Sequence, residues 1–99
     1  EVDEGDEIAK ALGDKKVAIM QNHGILTTGP SVDIALWFYM SMERCCQAQL
    51  MAEAAGKPVI IPHDTAIKTR EFIANDIAAW ASYQPAFDKI IKMQPDLLD

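Results

Sequence analysis

The residues best suited to chemistry are Gln21-Asn22-His23-Gly24, set between two short apolar runs. The first run reads as a strand, so His23 is expected at its end. A neutral imidazole is a good ligand for zinc and similar cations, and a rigid strand end holds such a ligand better than a loop does. Gly24 removes the adjacent side chain, which lets a ligand or another backbone approach closely. The same residues also read as a plain turn, because Asn and Gly both tolerate positive φ. Spacing alone leaves both readings open.

The remaining reactive side chains fit blander roles. His63 stands between Pro62 and Asp64, where a helix is expected to begin, and its spacing from His23 matches no metal motif. Cys45 and Cys46 are adjacent; neighbours on a helix point about 100° apart, a poor geometry for a mutual disulfide. With no histidine or cationic partner evident nearby, they are expected to be buried or half-buried structural thiols rather than nucleophiles. Glu43, followed by Arg44, reads as a solvated or paired helix carboxylate. Lys15 and Lys16 are too small a group to bind phosphate alone. No Gly-rich phosphate loop, Ser-His-Asp order or CxxC pair is present. The metal candidate is therefore His23, and no residue is assigned a catalytic or cofactor-binding role.

Several elements must position that histidine. Residues 1–13 read as a short helix, with Ile8, Ala9, Ala11 and Leu12 as its apolar stripe, acidic residues at its start and Gly13 as its stop. Val17 to Met20 is wholly apolar, the pattern of a strand buried on both faces. Ile25 to Thr28 reads as a second strand, closed by Gly29 and Pro30. Ser31 is a good N-cap for a helix reaching Ala55, roughly 37 Å long at 1.5 Å per residue. Its first half, from Ile34 to Met40, is apolar nearly all round and must be buried on more than one side. So little sheet cannot bury it, which implies neighbouring protein. Trp37, Phe38, Met40, Met42 and Met51 read as core or subunit interface.

Residues 57–62 read as an extended piece. Asp64 is expected to cap a helix with Ile67, Phe72 and Ile73 inward. Asn75 or Asp76 starts the next segment, with Ile77, Trp80 and Ala81 on one side. Pro85 suits the first turn of a last helix carrying Phe87, Ile90 and Ile91. Residues 94–99 are expected to fray. The order predicts an α/β or α+β layer arrangement.

Composition narrows the class. At 99 residues the chain supports one small domain at most, and with 49% apolar and 24% charged residues it is globular. A net charge of −6 argues against nucleic-acid binding, since no basic cluster is available to displace counterions from phosphates. No apolar run is long enough to suggest a membrane span, and the acidic start does not resemble a signal peptide. Two cysteines with no disulfide framework point to a reducing, cytoplasmic setting. The missing initial methionine points to a fragment or processed product.

The stretch from Glu7 through Gly56 resembles the class II aldolase/adducin family. The resemblance rests on Ile8-Ala9-Lys10-Ala11-Leu12-Gly13, on Val17-Ala18-Ile19-Met20-Gln21-Asn22-His23-Gly24-Ile25-Leu26-Thr27-Thr28-Gly29, and on Ser31-Val32-Asp33-Ile34-Ala35-Leu36-Trp37 with Met42-Glu43-Arg44-Cys45-Cys46-Gln47. The segment from Ala79 to Asp88 resembles a tail of some fungal members. The resemblance implies a three-layer α/β/α fold around a mainly antiparallel sheet, of which residues 1–99 would be the C-terminal portion. It further implies a divalent cation, usually zinc, held by three histidines. His23 matches the last; an upstream His-x-His and an earlier acid/base Glu have no counterpart here.

For the complete domain the resemblance implies a homo-oligomeric lyase that cleaves or rearranges small sugar phosphates, the cation acting as a Lewis acid. Catalytic zinc needs about three protein ligands, so this chain alone is expected neither to retain zinc nor to cleave substrate. A non-catalytic, adducin-like interaction module is the alternative: the absent His-x-His favours it and the retained His23 opposes it.

Overall fold

The computed structural model describes residues 2–99. Its elements are α1 (Val2–Leu12), β1 (Val17–Met20), β2 (Gly24–Thr27), α2 (Val32–Ala55), α3 (His63–Ile73), α4 (Asp76–Met93) and a final 3-10 turn (Pro95–Leu98). The expected helix start at Glu1 lies outside the described residues.

Asp3 and Glu4 occupy the first turn of α1 and Lys10 the last, each sign matched to the helix dipole. The helix stops at Gly13, which takes a φ of 53° that a side chain would resist. The chain then reverses into an antiparallel hairpin whose register pairs Val17 with Thr27, Ala18 with Leu26, Ile19 with Ile25 and Met20 with Gly24. Val17 packs toward α2, while Ala18 and Met20 line a cleft shared with α1. Alternate side chains of β1 thus serve helices on both sides, the helix–sheet–helix layering of the expected fold. β1 is less buried than its composition predicts: its residues are half-buried at best and Ile19 is 63% exposed. Only two strands are present among the described residues, so nothing covers the pair fully.

The start of α2 is fastened to the hairpin and to α4. Thr27 Oγ1 donates to the Ala35 carbonyl at 2.9 Å. A Cβ on Gly29 would lie 3.0 Å from the Ala35 nitrogen and 3.0 Å from Ile34 Cγ2, so glycine lets the β2–α2 connection lie against the first turn. Ser31 sits at the N-cap but makes no capping bond with its side chain. Asp33 does related work: it accepts from the Ile34 N–H at 3.2 Å and from Gln84 Nε2 of α4 at 3.4 Å. The Ser31 side chain, then the nearby backbone N–H groups and Gln84, hold the Asp33 carboxyl below the usual carboxylate range.

Ile34, Phe38 and Ala79 form the buried core, with Val17, Trp37 and Ala74 packed against it. Ala79 of α4 is 0% exposed and clusters with Ile34 and Phe38 of α2. Lys16 crosses this junction. Its Nζ donates to the Ala74 carbonyl at 2.5 Å, lies 4.7 Å from the Phe38 ring centroid and sits 3.7 Å from Asp76 Oδ1. One lysine therefore ties β1 to α2 and to the α3–α4 joint, so it is not a spare cation for phosphate.

Beyond α2 the structure departs from the sequence expectations. Residues 57–62 form no strand; Val59 and Ile60 are 95% and 88% exposed in an unpaired connector between Pro58 and Pro62. α3 begins at His63, with Asp64 in its first turn rather than as its cap. Of Ile67, Phe72 and Ile73, expected inward, Ile67 is half-buried and the other two are exposed; Ile77 and Trp80, placed on one side of the next segment, are exposed, and Ala79 is buried. The last two expected segments form one helix with Pro85 inside it. Proline there removes one helical hydrogen bond, that to the Ala81 carbonyl. Ala81 and Pro85 are both exposed, where water can replace the lost donor. Residues 95–98 are ordered as a 3-10 turn rather than frayed.

Asn75 links α3 to α4. Its Oδ1 accepts from the Ala78 N–H at 2.9 Å while its Nδ2 donates to the Phe72 carbonyl at 2.8 Å. Asn75→Ala is expected to cost about 1 kcal/mol, the usual worth of an N-cap. A fall in the midpoint of a urea melt at unchanged slope would show it; an unaltered midpoint would refute it.

The chain exposes 8160 Å², whereas a folded monomer of 10.9 kDa exposes about 5,600 Å². Its radius of gyration is 16.1 Å, against about 13 Å for a compact domain of this length. From Glu43 to Ala55 every residue of α2 but Cys46 is exposed, so this half of the helix projects from the body. Cys45, expected buried or half-buried, is exposed; Cys46 is half-buried. No helix among the described residues is long and apolar enough to cross a membrane.

Candidate metal centre

The hairpin places His23 in the turn itself. Gln21, Asn22 and His23 bridge the closing pair Met20–Gly24, and the His23 N–H donates to the Met20 carbonyl at 3.2 Å. Asn22 adopts φ 61°, the left-handed conformation that asparagine tolerates. Gly24 follows at φ 144°, and no atom would meet a Cβ there, so the glycine serves backbone conformation rather than close packing. Both readings of the tripeptide coexist: it is a turn, and the turn presents an imidazole.

That imidazole is 67% exposed and borders a cleft of about 350 Å³. The apolar wall of the cleft comes from Ile8 of α1 and from Ala18, Ile19 and Met20 of β1. Glu4 and Glu7 of α1 line the same cleft. His23 Nε2 lies 4.0 Å from Glu4 Oε1, too far for a hydrogen bond. His63, by contrast, opens α3 and does not line this cleft.

Glu4 was not singled out from sequence, though chain geometry points to it. α1 runs about 16 Å and β1 about 13 Å in the opposite sense, which returns the end of the strand to the start of the helix. An acidic residue in the first turn of α1 is therefore brought beside the hairpin turn.

The donor set suits a divalent cation of borderline softness: an imidazole nitrogen and a carboxylate oxygen face one cleft. It is incomplete. Among the described residues no group of three or more His, Cys, Asp or Glu side chains could hold a metal ion.

Residues 1–50 match the family described as Class II Aldolase and Adducin N-terminal domain. The chain is 39% identical over 95 residues to the decarboxylase NovR of Streptomyces niveus, spanning 96% of this chain and 35% of that protein. It is 37% identical over 95 residues to the 4-hydroxy-3-prenylphenylpyruvate oxygenase/4-hydroxy-3-prenylbenzoate synthase of Streptomyces roseochromogenus subsp. oscitans, spanning 96% of this chain and 34% of that one. The solved L-fuculose 1-phosphate aldolase from Glaciozyma antarctica PI12 superposes with a TM-score of 0.88 at 36% identity, covering 92% of this chain and 36% of the aldolase. The chain thus spans about a third of the length of these relatives. Residue 50 falls inside α2, and a helix does not divide mid-turn between folding units, so the later residues continue the same body. With its partial aldolase-like fold and a family match over its first half, the chain belongs to the class II aldolase and adducin family.

Proposed function

We propose that residues 1–99 are the C-terminal portion of a class II aldolase-type domain. In this reading they contribute one cation ligand, His23, to a homo-oligomeric, cytoplasmic lyase that cleaves or rearranges small sugar phosphates. The observation that carries the reading is an exposed imidazole presented by a hairpin turn to the mouth of a cleft. The surface in excess of a compact monomer's supports a larger folded unit.

A divalent cation, when bound, supplies Lewis-acid stabilisation of negative charge developing on a substrate oxygen. This chain's part is narrower. His23 donates one lone pair, the β1–β2 hairpin fixes its backbone, and α1 walls one side of the cleft. The two further histidine ligands and the acid/base carboxylate belong to an upstream half.

A second reading is favoured by the two Streptomyces relatives, whose similarity covers 96% of this chain. In it the same centre serves decarboxylation or oxygenation of an aryl pyruvate. One experiment tests both: a longer polypeptide with the upstream half is assayed for bound metal, for cleavage of L-fuculose 1-phosphate, and for carbon dioxide release from 4-hydroxyphenylpyruvate. Near-stoichiometric metal with sugar-phosphate cleavage is the expected result. Carbon dioxide release without cleavage would select the second reading. Metal-free protein inactive on both substrates would leave an adducin-like scaffold.

A further inference from the structure

We infer that the cleft between the start of α2 and the second half of α4 is a binding site for a small organic cation, a methylated ammonium ion. Val32, Asp33, Tyr83, Gln84 and Phe87 line this cleft of about 230 Å³, and none of them is basic. Tyr83 and Phe87 stand four residues apart on α4, so their rings are neighbours on one face of the helix. The ring centroids lie 6.3 Å apart with the planes inclined by 36°. Gln84 Nε2 donates to Asp33 Oδ2 at 3.4 Å and to the Trp80 carbonyl at 3.1 Å, which holds the carboxylate against the same stretch of α4. Asp33, Tyr83, Gln84 and Phe87 are all half-buried, while Val32 is exposed.

A carboxylate set beside two aromatic rings is the chemistry of a cation receptor. The Asp33 carboxyl is held below the usual carboxylate range, first by the Ser31 side chain, and is charged at neutral pH. Its donors, the Ile34 N–H and the Gln84 amide, are neutral dipoles, so nothing in the lining cancels that charge. A hard divalent ion takes about six oxygen ligands, which one carboxylate among rings and a valine does not supply. A methylated ammonium spreads its charge over methyl groups and gains from aromatic contact as well as from the carboxylate. The cleft is smaller than the roughly 300 Å³ of the smallest drug-sized sites, so its ligand is an ion of a few heavy atoms. It shares no lining residue with the cleft at the hairpin turn, and the site stands or falls independently of His23.

The test is a titration of tetramethylammonium into the 99-residue chain at neutral pH and fixed ionic strength, followed by backbone amide NMR shifts. Tert-butanol, of similar shape and without charge, is the control ligand. The ion is expected to give saturable shifts at Asp33, Ile34, Tyr83, Gln84 and Phe87, and the alcohol none. Asp33→Asn should raise the apparent Kd about fivefold or more, the upper worth of an exposed ion pair. Tyr83→Leu and Phe87→Leu should each raise it about two- to fivefold through the lost cation–π contact. Circular dichroism checks that each variant keeps the parent's helix content; where one does not, the ion-against-alcohol comparison on the parent chain decides. Equal saturation by the two ligands would reduce the cleft to an apolar crevice and overturn the site. So would an unchanged Kd for a folded Asp33→Asn, or for both leucine variants. Shifts confined to other residues, or no saturable shift at all, would overturn it as well.

Discussion

Replacing His23 with alanine, in a polypeptide that carries the upstream half of the domain, is expected to weaken divalent-cation binding at least about 100-fold, the upper range for losing an outer partner alone. The imidazole sits in a three-residue turn and is two-thirds exposed, so its removal leaves no cavity. The fold should survive intact. Binding and stability should therefore separate: metal content falls while the thermal midpoint of the metal-free protein stays within a degree or two. Metal analysis after gel filtration, paired with a melt in chelator, reads both quantities. Metal retained at the parent's stoichiometry would show that His23 is a turn residue and no more.

Phe38→Ala should produce the opposite pattern, a large loss of stability with no direct change at the hairpin turn. Phe38 is one of three buried core residues and carries the Lys16 ammonium over its ring. Truncating a buried phenylalanine costs about 3–5 kcal/mol, against a total of about 5–15 kcal/mol for an ordinary domain. Here the buried core is only Ile34, Phe38 and Ala79 among the described residues, so the loss falls on a large share of it. Loss of a cooperative melt by circular dichroism is the expected outcome. Phe38→Leu refills part of the volume and removes only the ring; it should retain a transition, lowered by the lost packing and by the cation–π term, about 0.5–1 kcal/mol. A parent-like melt for Phe38→Ala would mean that the α2–α4 junction is not where this chain is held together.

The sequence patterns that worked are those in which local chemistry and tertiary role agree. Gly13 and the apolar run after it fixed the α1-to-β1 reversal, and Asn22 and Gly24 fixed the hairpin, because positive φ is decided by residue type. The long α2 and its stop at Gly56 were legible for the same reason. Inward and outward assignments failed where burial needs neighbours. Phe72, Ile73, Ile77 and Trp80 have the size and polarity of core residues, yet all four are exposed and the buried residue of α4 is Ala79. Pro85 suits a first helical turn by its fixed φ, yet it lies inside α4, flanked on that helix by the Tyr83–Phe87 ring pair at 6.3 Å. His23 stood out by its motif. Glu4 did not, since its place depends on how far the helix and strand run before they meet, a quantity carried by no single residue.

The connector between α2 and α3 has a consequence for handling the protein. Val59, Ile60 and Ile61 are β-branched, consecutive and open to solvent, the composition of a fibril-forming stretch. Stacked cross-β layers require about five to seven uninterrupted residues that can each donate a backbone proton. Pro58 and Pro62 cut the stretch short at both ends and cannot donate. This apolar stretch is thereby denied the length to nucleate amyloid, and concentrated samples should lose solubility through amorphous clumping rather than ordered fibres.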